Sequence, residues 1–174
     1  MINLHLNDRE YPNEGITHTR RVARAILFND KNEVCILKID GNDIFGHRDY
    51  YETPGGGVDE DESFEQGVVR EIDEEVGVKA HIISFIGEII DYYNLIKRKN
   101  INRYFILKID ESTHIHHESS GDDLISKILF LPLEEVIHRY ETMNDYGVSK
   151  LVKQRELPIL KEVKRQIDSN LVQI

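Results

Sequence analysis

The stretch from Pro54 to Gly77 constrains this chain more than any other. Pro54 disfavours helix for Thr53. Gly55-Gly56-Gly57 then permits backbone conformations closed to other residues. A helix begins soon after, because Ser63 and Gln66 form a capping box. Phe64, Val68, Ile72 and Val76 recur at helical spacing, and Gly77 is a good residue to end on. The spacing predicts a helix from Ser63 to Val76, preceded by a glycine-rich turn and apolar along one face.

Strand patterns surround this unit. Arg20 to Asn29 and Glu33 to Ile39 read as a hairpin across the Asp30-Lys31-Asn32 turn, and Asp40-Gly41-Asn42 reads as its break. Tyr50 to Thr53 is a short extended piece. Lys79 to Ile90 and Asn102 to Ile109 read as strands, joined by Asp91 to Ile101. A polar loop spans 110–123, a short strand Lys127 to Leu131, and a helix starts at Pro132. Tyr146 to Leu171 is read as helix interrupted near Pro158. Strands, helix, strands, helices in that order predict a mixed β-sheet flanked by helices in one α/β domain. Residues 1–18 are expected to be a tail or edge strand, with a single domain over 19–174.

With 174 residues, 40% of them hydrophobic, the chain can bury one substantial core. Apolar runs are all far shorter than the ~20 residues of a membrane span. The first residues lack a basic segment followed by an apolar one, so no signal peptide is expected. Cys35 is the sole cysteine, which excludes an intrachain disulfide and a cysteine-based zinc site. A cytoplasmic location is the expectation. The net charge of −10 argues against nonspecific nucleic-acid binding. An acidic protein can still hold phosphates where metal ions bridge the two.

The acid is concentrated: nine carboxylates fall between Asp59 and Glu75. Glu71, Glu74 and Glu75 stand at i, i+3 and i+4, on one face of the predicted helix. Like charges at that spacing destabilise a helix by a few tenths of a kcal/mol. A hard divalent cation that favours carboxylate oxygens, such as Mg2+, would offset that cost.

The segment Gly56 to Val78, GGVDEDESFEQGVVREIDEEVGV, resembles the Nudix box, G-x5-E-x7-R-E-U-x-E-E-x-G-U with U aliphatic. Gly56, Glu62, Arg70, Glu71, Ile72, Glu74, Glu75, Gly77 and Val78 fill every defined position. The resemblance implies a Nudix α/β/α sandwich and a hydrolase that cuts a diphosphate linkage in a nucleoside diphosphate joined to another group. It implies Mg2+, with Mn2+ as an alternative, held principally by Glu71 and Glu75. Glu74 would be a further ligand or a base acting through water. Arg70 would be an orienting group paired with Glu62, and Gly56 a backbone position against the helix, with Gly55 beside it. The family often adds one downstream loop carboxylate; of Glu118, Asp122 and Asp123, Asp123 is preferred by its distance from Leu131-Pro132.

Arg24, alone among apolar residues on the first strand, is a candidate phosphate contact, against the alternative of an exposed strand position. Lys97-Arg98-Lys99 could reach substrate phosphates, but the preferred reading is a solvated connection; His114, His116 and His117 could hold zinc or nickel, but the preferred reading is an ordinary polar loop or strand end. Subfamily signatures beyond the box do not match, so the sequence leaves the substrate open within small nucleotide-type molecules. A homodimer is compatible with the resemblance. Two other readings are a nucleotide sensor on the same fold, disfavoured by the intact box, and an isomerase, disfavoured because Cys35 lies in an apolar strand.

Overall fold

A computed structural model describes residues 1–110 and 124–174. The elements run β1 (Ile2–Leu6), β2 (His18–Phe28), β3 (Val34–Asp43), β4 (Gly46–Glu52), β5 (Gly55–Gly57), α1 (Phe64–Val76), β6 (Ala80–Tyr93), a 3-10 turn (Asn94–Ile96), β7 (Arg98–Ile109), β8 (Ile125–Leu131), α2 (Leu133–Thr142) and α3 (Gly147–Asp168). The sheet is ordered β1-β6-β7-β2-β3-β4, with β5 on β2 and β8 on β3. It is mixed: β2 runs parallel to β7, while β6–β7 and β3–β4 are antiparallel hairpins.

Period-two alternation explains the layering. Ala23, Ala25 and Leu27 of β2, with Phe105 and Leu107 of β7, face the Phe64-Val68-Ile72-Val76 stripe of α1. The intervening Ile26, Phe28, Tyr104 and Ile106 face the second core, which α2 and α3 close with Val136, Tyr140, Val152, Ile159, Leu160 and Val163. Burying each large side chain of the α1 stripe contributes about 1.5–3 kcal/mol. The result is the expected α/β/α sandwich. Among the described residues no helix is long and apolar enough to cross a membrane.

Four local readings change. The first hairpin is paired by register only at Phe28–Val34, because β2 diverges to take β5 and β7 as neighbours. Asp40-Gly41-Asn42 does not break β3, since its ladder with β4 continues from Leu37–Glu52 to Asp43–Gly46. The expected connection over Asp91 to Ile101 is mostly strand: only Asn94 to Lys97 turns the chain. Finally, α3 runs through Pro158. Proline cannot donate to the carbonyl four residues back, but Arg155, Glu156, Ile159, Leu160 and Val163 are buried on either side and hold the helix together.

The edge strand β1 pairs parallel to β6. Beyond it, Asp8 accepts from the Asn94 amide at 2.8 Å, and Glu10 accepts from the Gly147 amide at 2.9 Å, fastening the segment to the β6–β7 turn and the start of α3.

Candidate active site

The loop–helix unit forms as the sequence predicts. Ser63 accepts from the Gln66 amide, Gln66 reciprocates, and Gly77 ends α1 in the left-handed conformation with φ 73°. The preceding turn becomes β5, laid antiparallel on Val22, Ala23 and Arg24. That pairing forces the glycines. At Gly55 φ is +130°, and a Cβ there would stand 2.2 Å from the Ala23 carbonyl oxygen. At Gly56 a Cβ would stand 2.4 Å from Glu71 Oε2. The glycine run therefore lets the backbone lie directly against the carboxylates.

Arg70 is the hub. Its Nη2 and Nε donate to the two oxygens of Glu62 at 2.7 and 3.3 Å, as expected of a bidentate pair. Nη2 also donates to the Gly57 carbonyl at 2.8 Å, tying loop to helix. Nη1 reaches Glu71 at 2.9 Å and Glu74 at 2.8 Å. The Arg70 hydrogen bonds hold the Glu62 carboxyl below its usual range, helped by the Asp59 amide.

Glu75 is placed differently. It is partly buried, and Gly55 N–H donates to its Oε2 at 2.7 Å. Burial pushes its carboxyl up to about 8, against the pull of that amide and of Arg24. Burial also raises Glu71, with Arg70 opposing. Among the described residues no three acidic or histidine side chains converge as a ready-made metal cage. Like charges on one helix face repel, so Glu71 and Glu74 turn to Arg70 while Glu75 turns to Gly55. The donor set nevertheless suits a hard divalent cation. It is all carboxylate, and it includes a partly buried acid whose ionised form has one backbone N–H to stabilise it.

These groups open into a cleft of about 820 Å3 shared by Glu71, Glu74, Glu75, Gly55 and Gly56. Its floor is a buried polar network that no local pattern announced. Arg155, 2% exposed, donates to Asp91 at 3.3 Å, Tyr93 at 3.0 Å, Glu52 at 2.8 Å and Glu156 at 2.9 Å. Glu156 accepts from the Thr53 amide at 2.8 Å and from Tyr140 at 2.6 Å. Asp91 accepts from Asn100 and Asn102 at 3.0 and 2.9 Å. Helix α3 thus grips the strand end that leads into Gly55.

Arg24 belongs to this network. It is not on an exposed strand face: it lines the cleft, and its guanidinium contacts Glu52 at 2.5 Å, the Thr53 carbonyl at 2.8 Å and Glu156 at 3.6 Å. Burial works against its charge, and Glu52 and Glu156 outweigh that and raise it further. Burial would likewise raise Glu52, but Arg24 and Arg155 hold it below its usual value. Arg98 is also not a solvated connector. It lines the cleft, half-buried, over the Tyr93 ring at 5.4 Å. Cys35 is fully buried, as its apolar neighbours suggested. Asp123, like Glu118, Asp122, His114, His116 and His117, lies outside the described residues.

Comparison with known proteins agrees with this architecture. A MutT protein from Methanosarcina mazei Go1 superposes over 88% of this chain and 96% of its own, with a TM-score of 0.61 at 19% identity. A NUDIX hydrolase from Nitrosomonas europaea superposes over 85% and 90%, with a TM-score of 0.63 at 14% identity. At such identities the likeness shows the fold. In sequence, an RNA pyrophosphohydrolase from Wolbachia pipientis subsp. Culex pipiens (strain wPip) is 41% identical over 77 residues, 44% of this chain and 44% of that relative. The match thus spans less than half of the relative's length. The family model described as NUDIX domain matches residues 18–152, most of the chain, and with the filled motif on α1 this means that the chain belongs to the Nudix family.

Proposed function

We propose that this protein hydrolyses a diphosphate linkage in a nucleotide-type substrate, with Mg2+ or Mn2+ held by Glu71, Glu74 and Glu75. The observation that carries the reading is the approach of the Gly55-Gly56 backbone to Glu75 and Glu71, with Arg70 bound to Glu62, Glu71 and Glu74 at once. A bound divalent cation supplies charge neutralisation at the phosphates and lowers the pKa of water.

The chain's own part is positioning and proton transfer. Arg70 fixes α1 against the loop, so the glutamates keep their places relative to Gly55 and Gly56. Glu71, 16% exposed, and the partly buried Glu75 form the inner pair that holds the cation. Glu74, 50% exposed at the rim, is free to swing from Arg70 and accept the proton of the attacking water. The water oxygen forms a bond to one phosphorus, the bridging P–O bond breaks, and the electron pair leaves with the other phosphate. Charge control of this kind leaves little covalent work for the protein. Tyr50 and Tyr93 stand behind the cleft wall, almost wholly buried.

The test is a hydrolysis screen with Mg2+ across nucleoside triphosphates, ADP-ribose, nucleotide sugars, dinucleoside polyphosphates and NADH. The name of the Wolbachia relative adds RNA with a terminal pyrophosphate linkage. Cleavage of one class at its diphosphate, abolished by EDTA, supports the proposal. Tight binding of one member without turnover would favour a sensor instead.

A further inference from the structure

The arginines that line the cleft fall into two groups. Arg24, Arg48 and Arg155 each contact a carboxylate: Glu52, Asp43 and Asp91 respectively. Arg20 and Arg98 have no carboxylate within 4 Å among the described residues, although the chain carries ten more acids than bases. Arg98 Nε is buried without a hydrogen-bond partner, as are those of Arg24, Arg48 and Arg155, but the Arg98 guanidinium lies against the Tyr93 ring with no carboxylate in direct contact, Asp91 favouring its charge from further off. Arg20 is exposed and Arg98 half-buried, so both guanidiniums stand open to an anion that enters the cleft.

Strand register brings the two together. β2 and β7 are parallel, with His18 opposite Arg98 and Arg20 opposite Asn100. Alternation then puts Arg20, Val22 and Arg24 on the same face as Arg98, Asn100 and Asn102, and all six line the cleft. Arg20 also leans over the glycine loop, with Nη2 3.0 Å from where a Cβ on Gly57 would be. It is close enough to Glu71 to favour that carboxylate's charge and close enough to Arg98 to disfavour that guanidinium's. A positive pair thus adjoins the glutamates, on the sheet side of the cleft.

We propose that Arg98, together with Arg20, forms an anion subsite for a phosphoryl group beyond the linkage that is cut, so that the preferred substrate is a triphosphate rather than a diphosphate flanked by two sugars. This rests on the hydrolase reading above. An anionic group carrying further negative charge would relieve the repulsion between the two guanidiniums and accept charge-assisted hydrogen bonds from both.

The experiment compares the whole protein with Arg98→Gln and Arg98→Lys on a nucleoside triphosphate and on ADP-ribose, in Mg2+, with far-UV circular dichroism to check folding. Arg98→Gln is expected to lower kcat/KM for the triphosphate about tenfold more than for ADP-ribose, mainly through KM, and Arg98→Lys to recover part of the difference. Equal loss on both substrates, or none on the triphosphate, overturns the subsite. Should Arg98→Gln not fold, Arg98→Lys still decides, because weakening the fork geometry must affect the triphosphate more. Should the unmodified protein turn over neither substrate, the hydrolase reading fails, and calorimetric titration with inorganic tripolyphosphate in Mg2+ tests the subsite alone. Weaker binding by Arg98→Gln then supports it, and equal binding refutes it.

Discussion

Gly55 and Gly56 are adjacent, yet replacing each with alanine should damage different properties. At Gly56 the added Cβ meets the Glu71 carboxylate, with Oε2 at 2.4 Å and Cδ at 2.6 Å. That is the far end of a flexible side chain, which can retreat about 1 Å toward ordinary contact by rotamer adjustment, at a cost of about 1 kcal/mol. The fold survives, but under the proposed function a carboxylate misplaced by about 1 Å can cost on the order of 10²-fold in rate. At Gly55 the added Cβ meets backbone: the Ala23 carbonyl oxygen at 2.2 Å and Arg24 Cα at 2.8 Å, with φ at +130°. Neither strand can yield without loosening the β2–β5 pairing. Conformational strain and overpacking together cost roughly 2–5 kcal/mol, a fall in Tm of roughly 5–20 °C for a chain of this size. The assay pairs thermal unfolding with Mg2+-dependent turnover. Gly56→Ala should melt near the parent and turn over about a hundredfold more slowly, whereas Gly55→Ala should melt much earlier. Native turnover in Gly56→Ala, or unchanged melting in Gly55→Ala, would refute the packing argument.

Three further outcomes are expected. Glu74→Gln should reduce turnover by several orders of magnitude while its melting curve stays near the parent's, since its side chain is half exposed. Arg70→Lys should lower turnover about tenfold or more in a steady-state assay, because a single ammonium cannot replace the bidentate hold on Glu62 while reaching Glu71 and Glu74. Glu52→Gln should cost about 3 kcal/mol in urea unfolding at neutral pH, because it leaves the buried Arg24 and Arg155 charges short of their partner. The folded-state pKa of Glu52 lies below 4.5, so this stabilisation is present above that pH and fades as pH falls through the folded value. The gap between parent and variant should therefore narrow in acid; a constant gap would mean that the Glu52 charge is not what stabilises the network.

The parts of the fold legible in sequence were those whose information is local. The capping box, the apolar stripe and Gly77 define α1 within one residue, and the Arg70–Glu62 pair follows from the motif on and before that helix. The β6–β7 hairpin was half hidden. Asp91, Arg98 and Asn100 look like loop residues because they are polar, and they are strand residues because Arg155, on a helix far along the chain, gives Asp91 a buried partner. The signal was present as alternation: Arg98, Asn100, Asn102 and Tyr104 share one face while Ile101 and Phe105 take the other. The carboxylate partners of Arg24 were hidden for the same reason. Its neighbours in sequence are apolar, and the carboxylates that engage it, Glu52 and Glu156, come from β4 and α3. Pro158 suggested a break because local propensity cannot register the packing of Ile159, Leu160 and Val163.

The central claim is that the carboxylates beside the glycine turn carry hydrolysis. The most direct measurement runs the best substrate of the screen in 18O-labelled water with the parent protein and Glu75→Gln, following both phosphate products by mass. Label should enter one product only, at a rate that vanishes in EDTA and falls at least about a thousandfold in Glu75→Gln, which keeps an acceptor for the Gly55 amide and should fold. A folded Glu75→Gln protein that works at the parent rate, or turnover that persists in EDTA, would contradict the account.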